Sequence, residues 1–560
     1  GSHFSLEKRM TNKKELSFDY DQARQQFELT IPTEFNFAFD IVGKWAKTDN
    51  KTALITIDKN SKTPTYHSYS DLDKNSNKFA NLLLDLKCTK QDFAFVMIPR
   101  KAAWYHVLLG CMKVGVVAMP GTNLLTAKDI EYRINRSGAK LAIVTEEHIE
   151  KVNAIRNNCP SLEHLITVSG NTTDGWVCME DACQNASPDF ERTKVGLNKA
   201  TDPMLIYFTS GTTSMPKMVE RDHAYALAHT ITQKYWMTLE ETDIHWTLTD
   251  TGWAKAAWGL LFPPLIAGST IVLFDSDGFD AEEHLRIIQD YKITTFCAPP
   301  TVYRLFAQMD VSNYNLSSLR HCIGAGEPLN PEAMRSWKTA TGCDIYDGYG
   351  QTETINIVAN YPGMEIRPGS MGKPVPGLDV DIIDDEGKLC PNNVVGHIAV
   401  KITNPHPLGL FFGYFKDKPA TDFAFRNGWY YTGDTATRDE DGYIWFVGRS
   451  DDIISSAGYR ISPFEVESAL IEHPAVQESA VVAKKDEMRG EIVKAYVILA
   501  PGKIATDDLT LEIQNFVKKV TAPYKYPREI EYRDQLPKTI SGKIRRVELR
   551  EEANSAKTNP

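Results

Sequence analysis

The sequence predicts an α/β protein with a large N-terminal domain and a small α+β C-terminal domain. The large domain is expected to hold two parallel-rich αβ sheets plus a small β-barrel-like subdomain. Three observations carry this reading. The chain has 560 residues, about twice the length at which a single core stops growing. Helical patterns alternate with short apolar strands through much of the first 350 residues, the rhythm of parallel sheets covered by helices. The texture then changes twice, near residue 365 and near residue 450.

In chain order, Gly1-Ser2-His3 resembles the scar of an expression tag, no signal-peptide pattern follows it, and residues 1–34 are read as tag remnant and extension. Residues 35–449 form the large domain. Within it, Phe93–Ile98, Lys140–Val144, Thr270–Phe274 and Thr294–Cys297 are short apolar runs between helical patterns. Gly252–Phe274 is long enough to cross a bilayer, but Lys255 and the Pro263-Pro264 pair make it a buried core segment. From about 365, Val380–Ile383, His397–Ile402 and Tyr443–Val447 alternate with Gly/Asp turns, which suits a small β-rich subdomain. Residues 450–560 form the second domain, with helices over Pro463–Glu472 and 507–520 and strands near 478–484 and 491–499.

Composition narrows the function. A hydrophobic share of 42% and a charged share of 24% are those of a globular protein. A net charge of −11 disfavours a broad nucleic-acid surface. The nine cysteines include no C-x-x-C pair, which points to a reducing compartment, expected to be cytoplasmic, and away from a disulfide scaffold or zinc site.

The most informative stretch is Thr209–Lys217, T-S-G-T-T-S-M-P-K, placed after the apolar run Met204–Phe208. A loop rich in hydroxyls and Gly, ending in Lys, can turn N–H groups, hydroxyls and an ammonium onto a polyphosphate. It is not a Walker A loop. Tyr349-Gly350-Gln351-Thr352-Glu353-Thr354, Thr432-Gly433-Asp434, Gly448-Arg449-Ser450-Asp451-Asp452 and Ser541-Gly542-Lys543 follow in order. Tyr349 offers a flat face to a base, and Glu353 a hard oxygen to Mg²⁺. Gly324-Ala325-Gly326-Glu327-Pro328 fails as a dinucleotide fingerprint because Leu329 stands where a third Gly is required.

This ordered set resembles the ANL superfamily of adenylate-forming enzymes from about residue 35 to about residue 550. The resemblance implies ATP and coenzyme A as substrates, Mg²⁺ as cofactor and a mobile C-terminal domain. It places Thr209, Ser210, Gly211, Thr212, Thr213, Ser214 and Lys217 at the phosphates, although Ser214 replaces the family's usual Gly. Gly326, Glu327, Pro328, Asp347, Gly348, Tyr349, Gly350 and Gln351 would bind the nucleotide. Asp434 and Arg449 would take the ribose, and Arg460 would contact phosphate. Thr352 would contact the α-phosphate, Glu353 would hold Mg²⁺, and Lys543 would be the catalytic lysine. Ala457, Gly458, Tyr459, Arg489, Lys518, Tyr526, Pro527 and Arg528 would hold coenzyme A, with Asp451 as the hinge.

Met119–Thr122, Lys217–Glu220, Asp250–Trp253 and Thr521–Arg528 are similar to the medium-chain acyl-CoA synthetase branch. The acyl pocket is then expected among Trp236, Trp253, Lys255, Trp258, Cys297 and Gly350, where indoles favour short, medium or branched acids over long ones. Three alternatives stay open at this stage: an adenylation enzyme that loads a carrier-protein phosphopantetheine, a nucleotide-binding protein without turnover, and an oxygenase of luciferase type. A homodimer is also left open.

Overall fold

A computed structural model describes residues 17–48, 50–170, 174–209, 215–325, 331–538 and 543–555. Its first sheet has seven strands in the spatial order Trp176–Cys178, His164–Thr167, Leu141–Val144, Phe93–Met97, Val117–Pro120, Pro203–Phe208, Met218–Asp222. Every pair is parallel except the last, a hairpin that straddles the Thr209–Lys217 loop. The second sheet has nine strands. Its parallel centre runs Ile345–Gly350, His321–Ala325, Thr295–Ala298, Ile244–Thr247, Thr270–Phe274 and Thr52–Ile57, with antiparallel strands at both edges. Strands buried on both faces read as continuous apolar runs, as in Leu141–Val144, where all four residues are buried.

Helices cover the sheets where the sequence signals them. Ser68 with Asp71 and Thr126 with Asp129 form reciprocal caps at the starts of Tyr69–Asp85 and Ala127–Ser137. Gly115 and Gly138 end helices in the left-handed conformation. The Gly252–Phe274 segment is interior: Trp258, Leu260, Leu261, Phe262 and Leu265 are buried, and Pro263-Pro264 sits in the first turn of a helix, where a missing N–H costs nothing. Among the described residues no helix is long and apolar enough to cross a membrane.

The β-rich subdomain is a five-stranded antiparallel sheet built on Trp429–Arg438, which pairs with Gly396–Lys401, Phe425–Arg426 and Ile444–Arg449. The C-terminal unit holds a second five-stranded sheet centred on the Val476–Asp486 and Gly490–Leu499 hairpin. Helices Pro463–Ile471 and Asp507–Val520 share an apolar cluster with it. The strands and helices outlined from 450 onward therefore form, with boundaries moved by a few residues. Residues from Ser17 to about 34, read only as an extension, pack on the large domain: Tyr20 donates to the Pro374 carbonyl at 2.7 Å, and Arg24 to Val375 at 2.6 Å.

Candidate active site

Two loops leave the carboxyl ends of parallel strands, where open α/β sheets bind ligands. One follows Pro203–Phe208. Its base is closed by Thr209 N–H to the Lys217 carbonyl at 2.8 Å and by Lys217 N–H to Thr209 Oγ1 at 3.0 Å. Lys217 Nζ lies 5.6 Å from the Tyr414 ring centroid. The other follows Ile345–Gly350 and carries Gln351-Thr352-Glu353-Thr354. Thr354 Oγ1 accepts from Gln351 N–H at 2.9 Å and fixes the turn.

The Glu353 carboxylate is aimed by two phenols. Tyr414 donates to Oε2 at 3.0 Å and Tyr430 at 3.2 Å. No described residue donates to Oε1, so one oxygen is left for a cation. No cluster of three or more His, Cys, Asp or Glu side chains suited to a metal occurs among the described residues. The donor set thus fits Mg²⁺ held by one carboxylate, with water and phosphate oxygens completing its shell. The main chain of Glu353 is fixed by the buried Arg221, which donates to its carbonyl at 3.3 Å and also to the Gly409 carbonyl.

Asp434 collects a second network. Tyr349 Oη donates to its Oδ2, Gln351 Nε2 reaches the same oxygen at 3.2 Å, and Arg449 Nη1 donates to Oδ1 at 3.1 Å. Asp434 and Arg449 face each other across paired strands, which explains how residues fifteen apart meet. Burial, reinforced by the neighbouring carboxylates, pushes the Tyr349, Tyr414 and Tyr430 phenols far above their ordinary range, so they act only as protonated groups. Tyr430 Oη also approaches Gln351 Oε1 at 2.9 Å. Through it the two networks become one connected array from Arg449 to Tyr414.

Behind the second loop lie the aromatic residues. Trp236 and Trp258 meet edge to face, with ring centroids 6.1 Å apart. Glycine makes room for both: a Cβ on Gly348 would sit 2.5 Å from Trp236, and one on Gly350 2.3 Å from Trp258. Burial raises the Cys297 thiol, against the pull of the nearby Lys255 ammonium, so these two residues share one neighbourhood. Trp253 is half-buried, and no ring contact or side-chain hydrogen bond among the described residues joins it to the others. Asp347, one residue before Gly348, is a carboxylate with a single donor, the Gly348 N–H at 3.1 Å. Burial pushes its carboxyl up to about 8.

On the C-terminal unit the residues expected to hold coenzyme A make local contacts with one another and with their neighbours. Gly458 has φ +85°, so any side chain there is strained before it obstructs anything. The Arg489 carbonyl accepts from Ala457 N–H at 2.8 Å, and its Nε reaches Ser456 Oγ at 3.3 Å. Tyr459 stacks on Tyr524 at 4.1 Å. Lys518 and Arg528 lie 4.1 Å and 5.0 Å from the Tyr526 ring, and the Pro527 carbonyl accepts from Gln514. Asp451 is exposed; its carbonyl accepts from Arg550 at 2.8 Å, and Asp452 pairs with the same guanidinium at 3.1 Å.

Some expectations are not brought together. Arg460 is exposed, its charge is felt by Asp385, and no described hydrogen bond or ion pair links it to Asp434. Thr352 is half-buried within its turn. Lys543 is exposed, and the next residue, Ile544, forms an isolated bridge with Lys538. Ser210, Gly211, Thr212, Thr213, Ser214, Gly326, Glu327, Pro328, Ser541 and Gly542 lie outside the described residues. Arg221, Tyr414 and Tyr430 were missed by the sequence reading. Tyr430 stands two residues before Thr432-Gly433-Asp434, and that proximity was the available signal. Arg221 gave none, because one basic residue in a strand looks solvated.

Comparison with known proteins agrees with this geometry. Residues 43–415 match the sequence profile of the AMP-binding enzyme family, and residues 465–543 that of the AMP-binding enzyme C-terminal domain. The mitochondrial acyl-coenzyme A synthetase ACSM3 of Rattus norvegicus is 42% identical over 95% of this chain and 93% of its own length. The human mitochondrial acyl-coenzyme A synthetase ACSM4 is 44% identical over 93% of this chain and 91% of its own. Among solved structures, the anthranilate CoA ligase AuaEII in complex with anthranoyl-AMP superposes with a TM-score of 0.85 at 33% identity, covering 93% of this chain and 98% of that one. An acyl-CoA synthetase of Brucella canis superposes at 0.73 and 35% identity, covering 95% and 98%.

The raised carboxyl of Asp347 has a measurable consequence. The folded protein keeps this proton where the unfolded chain, with an ordinary value of 3.8, has lost it. Its contribution to stability is therefore fully present below about pH 4 and is lost as pH rises toward 8. Asp347→Asn is expected to flatten the fall in thermal midpoint between about pH 5 and about pH 8. An identical pH slope in both proteins would count against a neutral, desolvated Asp347.

Proposed function

The chain belongs to the AMP-binding enzyme family, and from that premise we infer that it is an ATP-dependent, AMP-forming acyl-CoA synthetase, an acid–thiol ligase. It activates a short-chain, medium-chain or branched carboxylic acid as an acyl-adenylate and transfers the acyl group to coenzyme A. The observation that carries the reading is the continuous array from Arg449 through Asp434, Gln351 and Tyr430 to Glu353. It joins the carboxylates of Asp434 and Glu353, which supports reading the first as sugar-binding and the second as cation-binding.

In the residue assignment we propose, Tyr349 stacks on adenine, with Asp347, Gly348, Gly350, Gln351 and the 326–328 segment around it, while Asp434 and Arg449 take the ribose hydroxyls. The Thr209–Lys217 loop holds the β- and γ-phosphates, and Thr352 the α-phosphate. Glu353 would hold Mg²⁺, which when bound neutralises charge on the phosphates. The acid lies between Trp236, Trp253, Trp258, Lys255 and Cys297. An oxygen of its carboxylate attacks the α-phosphorus, the bond from that phosphorus to the departing pyrophosphate breaks, and Lys543 stabilises the charge that develops. The coenzyme thiolate then attacks the acyl carbon and AMP leaves with its bonding pair.

The second step uses the face that carries Ala457–Tyr459, Arg489, Lys518 and Tyr526–Arg528. Rotation of residues 450–560 about Asp451 would bring it in, and Arg460 would meet phosphate in one of the two arrangements. The positive φ of Gly458 supports a segment shaped to let a narrow arm pass. The nine free thiols, eight of them buried, support a reducing compartment such as the cytoplasm.

With ATP, Mg²⁺, coenzyme A and a suitable acid, the products should be AMP, pyrophosphate and acyl-CoA; ADP and phosphate would refute the reading. Lys543→Ala should slow adenylation about 10²–10³-fold, as loss of one oxyanion-hole donor does. It should still convert supplied acyl-adenylate and coenzyme A, and equal loss in both half-reactions would remove the separate role. Asp451→Pro, which fixes φ near −65°, should retain adenylation measured by pyrophosphate release and lose thioester formation. Unimpaired acyl-CoA synthesis would show that Asp451 is no hinge.

A further inference from the structure

The segment from Phe18 to Phe27 crosses the back of the site, and no role in the reaction accounts for it. It is held firmly. Phe18 N–H donates to the Pro362 carbonyl at 2.9 Å, Tyr20 Oη to Pro374 at 2.7 Å, and Arg24 to Val375 at 2.6 Å and Leu378 at 3.0 Å. A Cβ on Gly377 would lie 2.4 Å from the Phe27 ring, so the two surfaces are fitted closely.

Its aromatic side chains converge on one residue. Phe18 meets Tyr235 edge to face at 5.2 Å, and Phe27 meets it at 6.5 Å. Tyr20 stacks on Tyr361 at 5.9 Å, which itself lies 6.2 Å from Tyr235. Tyr235 belongs to Thr232–Trp236, a single π-helical turn closed by Met237 N–H to the Thr232 carbonyl at 2.9 Å. Such turns are rare because their packing is poor, and they persist where neighbours hold them.

The next residue in that turn is Trp236. Its Nε1 donates to the Tyr346 carbonyl at 3.0 Å, and its ring presses on Gly348 and Trp258. The residue held by the N-terminal segment is thus the immediate chain neighbour of the indole assigned to the acyl pocket.

We propose that residues Phe18–Phe27 are a positioning strap for the acyl pocket. By fixing Tyr235 they hold the π-helical turn, and so keep Trp236 against the strand Ile345–Gly350, where it limits the size of acid admitted. The proposal rests on the reading of Trp236 as pocket wall. The hydrogen bonds and ring contacts of the segment involve none of the described residues assigned to ATP or coenzyme A, so its effect should fall on the acid alone.

The test compares the full chain with Phe18→Ala/Phe27→Ala and with Trp236→Leu, using a series of straight, branched and aromatic acids. The strap variant should raise kcat/KM for bulky acids relative to small ones by roughly three- to tenfold, with KM for ATP and for coenzyme A unchanged. Trp236→Leu should shift the same ratio in the same direction. A shift in Trp236→Leu without one in the strap variant would overturn the strap and leave the pocket reading intact. No shift in Trp236→Leu would overturn the pocket reading and the strap with it. Parallel changes in the KM of all three substrates would show general loosening and also overturn the proposal. Should the double variant fail to fold, Phe27→Leu alone carries the same comparison.

Discussion

A buried guanidinium sets the geometry on which the site depends. Arg221 is fully buried on the strand that leaves the phosphate loop, and it forms no ion pair among the described residues. A cation in that position must be met by oxygens or by the face of a ring. Here the oxygens are the carbonyls of Glu353 and Gly409, and the ring is that of Tyr225, whose centroid lies 3.7 Å from the guanidinium carbon. One desolvated charge therefore ties the seven-stranded sheet to the loop after the nine-stranded sheet and to the approach to the β-rich subdomain. The phosphate loop and the cation-binding carboxylate keep a fixed relation because breaking it would leave that charge bare.

The polar array is organised by phenols. Tyr349, Tyr414 and Tyr430 each combine an apolar body that can be buried with a hydroxyl that reaches a carboxylate. Burial beside Asp434 and Glu353 keeps them protonated, so they donate across the working pH range. The carboxylates are thereby aimed before nucleotide arrives, and the electrostatic work of the reaction needs little reorganisation. Among the described residues, the donors to Glu353 meet only one of its two oxygens.

Behind the second loop, glycine and tryptophan exchange volume. Gly348 and Gly350 lie on the strand that presents the nucleotide loop, and Trp236 and Trp258 occupy the room their missing side chains leave. The C-terminal unit separates its tasks. Lys543 stands beside the Lys538–Ile544 bridge, whereas Tyr459 stacks on Tyr524. A rigid rotation can exchange one for the other without rebuilding either.

The sequence by itself determined the class of fold, the parallel sheets, the unit after residue 450 and the ordered motifs with their chemistry. These are local properties: strand and helix periodicity, capping pairs such as Ser68 with Asp71, and short runs in which reactive residues are neighbours in the chain. Asp347, Tyr349, Gln351, Asp434 and Arg449 could be singled out as candidates because each sits in such a run. Only the tertiary structure decided which side chains hold those residues in place. Arg221, Tyr414 and Tyr430 act across 60 to 190 positions of sequence, and an isolated Arg or Tyr in a strand is indistinguishable from a surface or core residue until its partners are known. The N-terminal segment is the same case, because nothing in Phe18 or Phe27 announces that both meet Tyr235. Desolvation also belongs to the fold alone: the carboxyl of Asp347 is displaced by the burial around it, a quantity set by distant segments and absent from the local sequence.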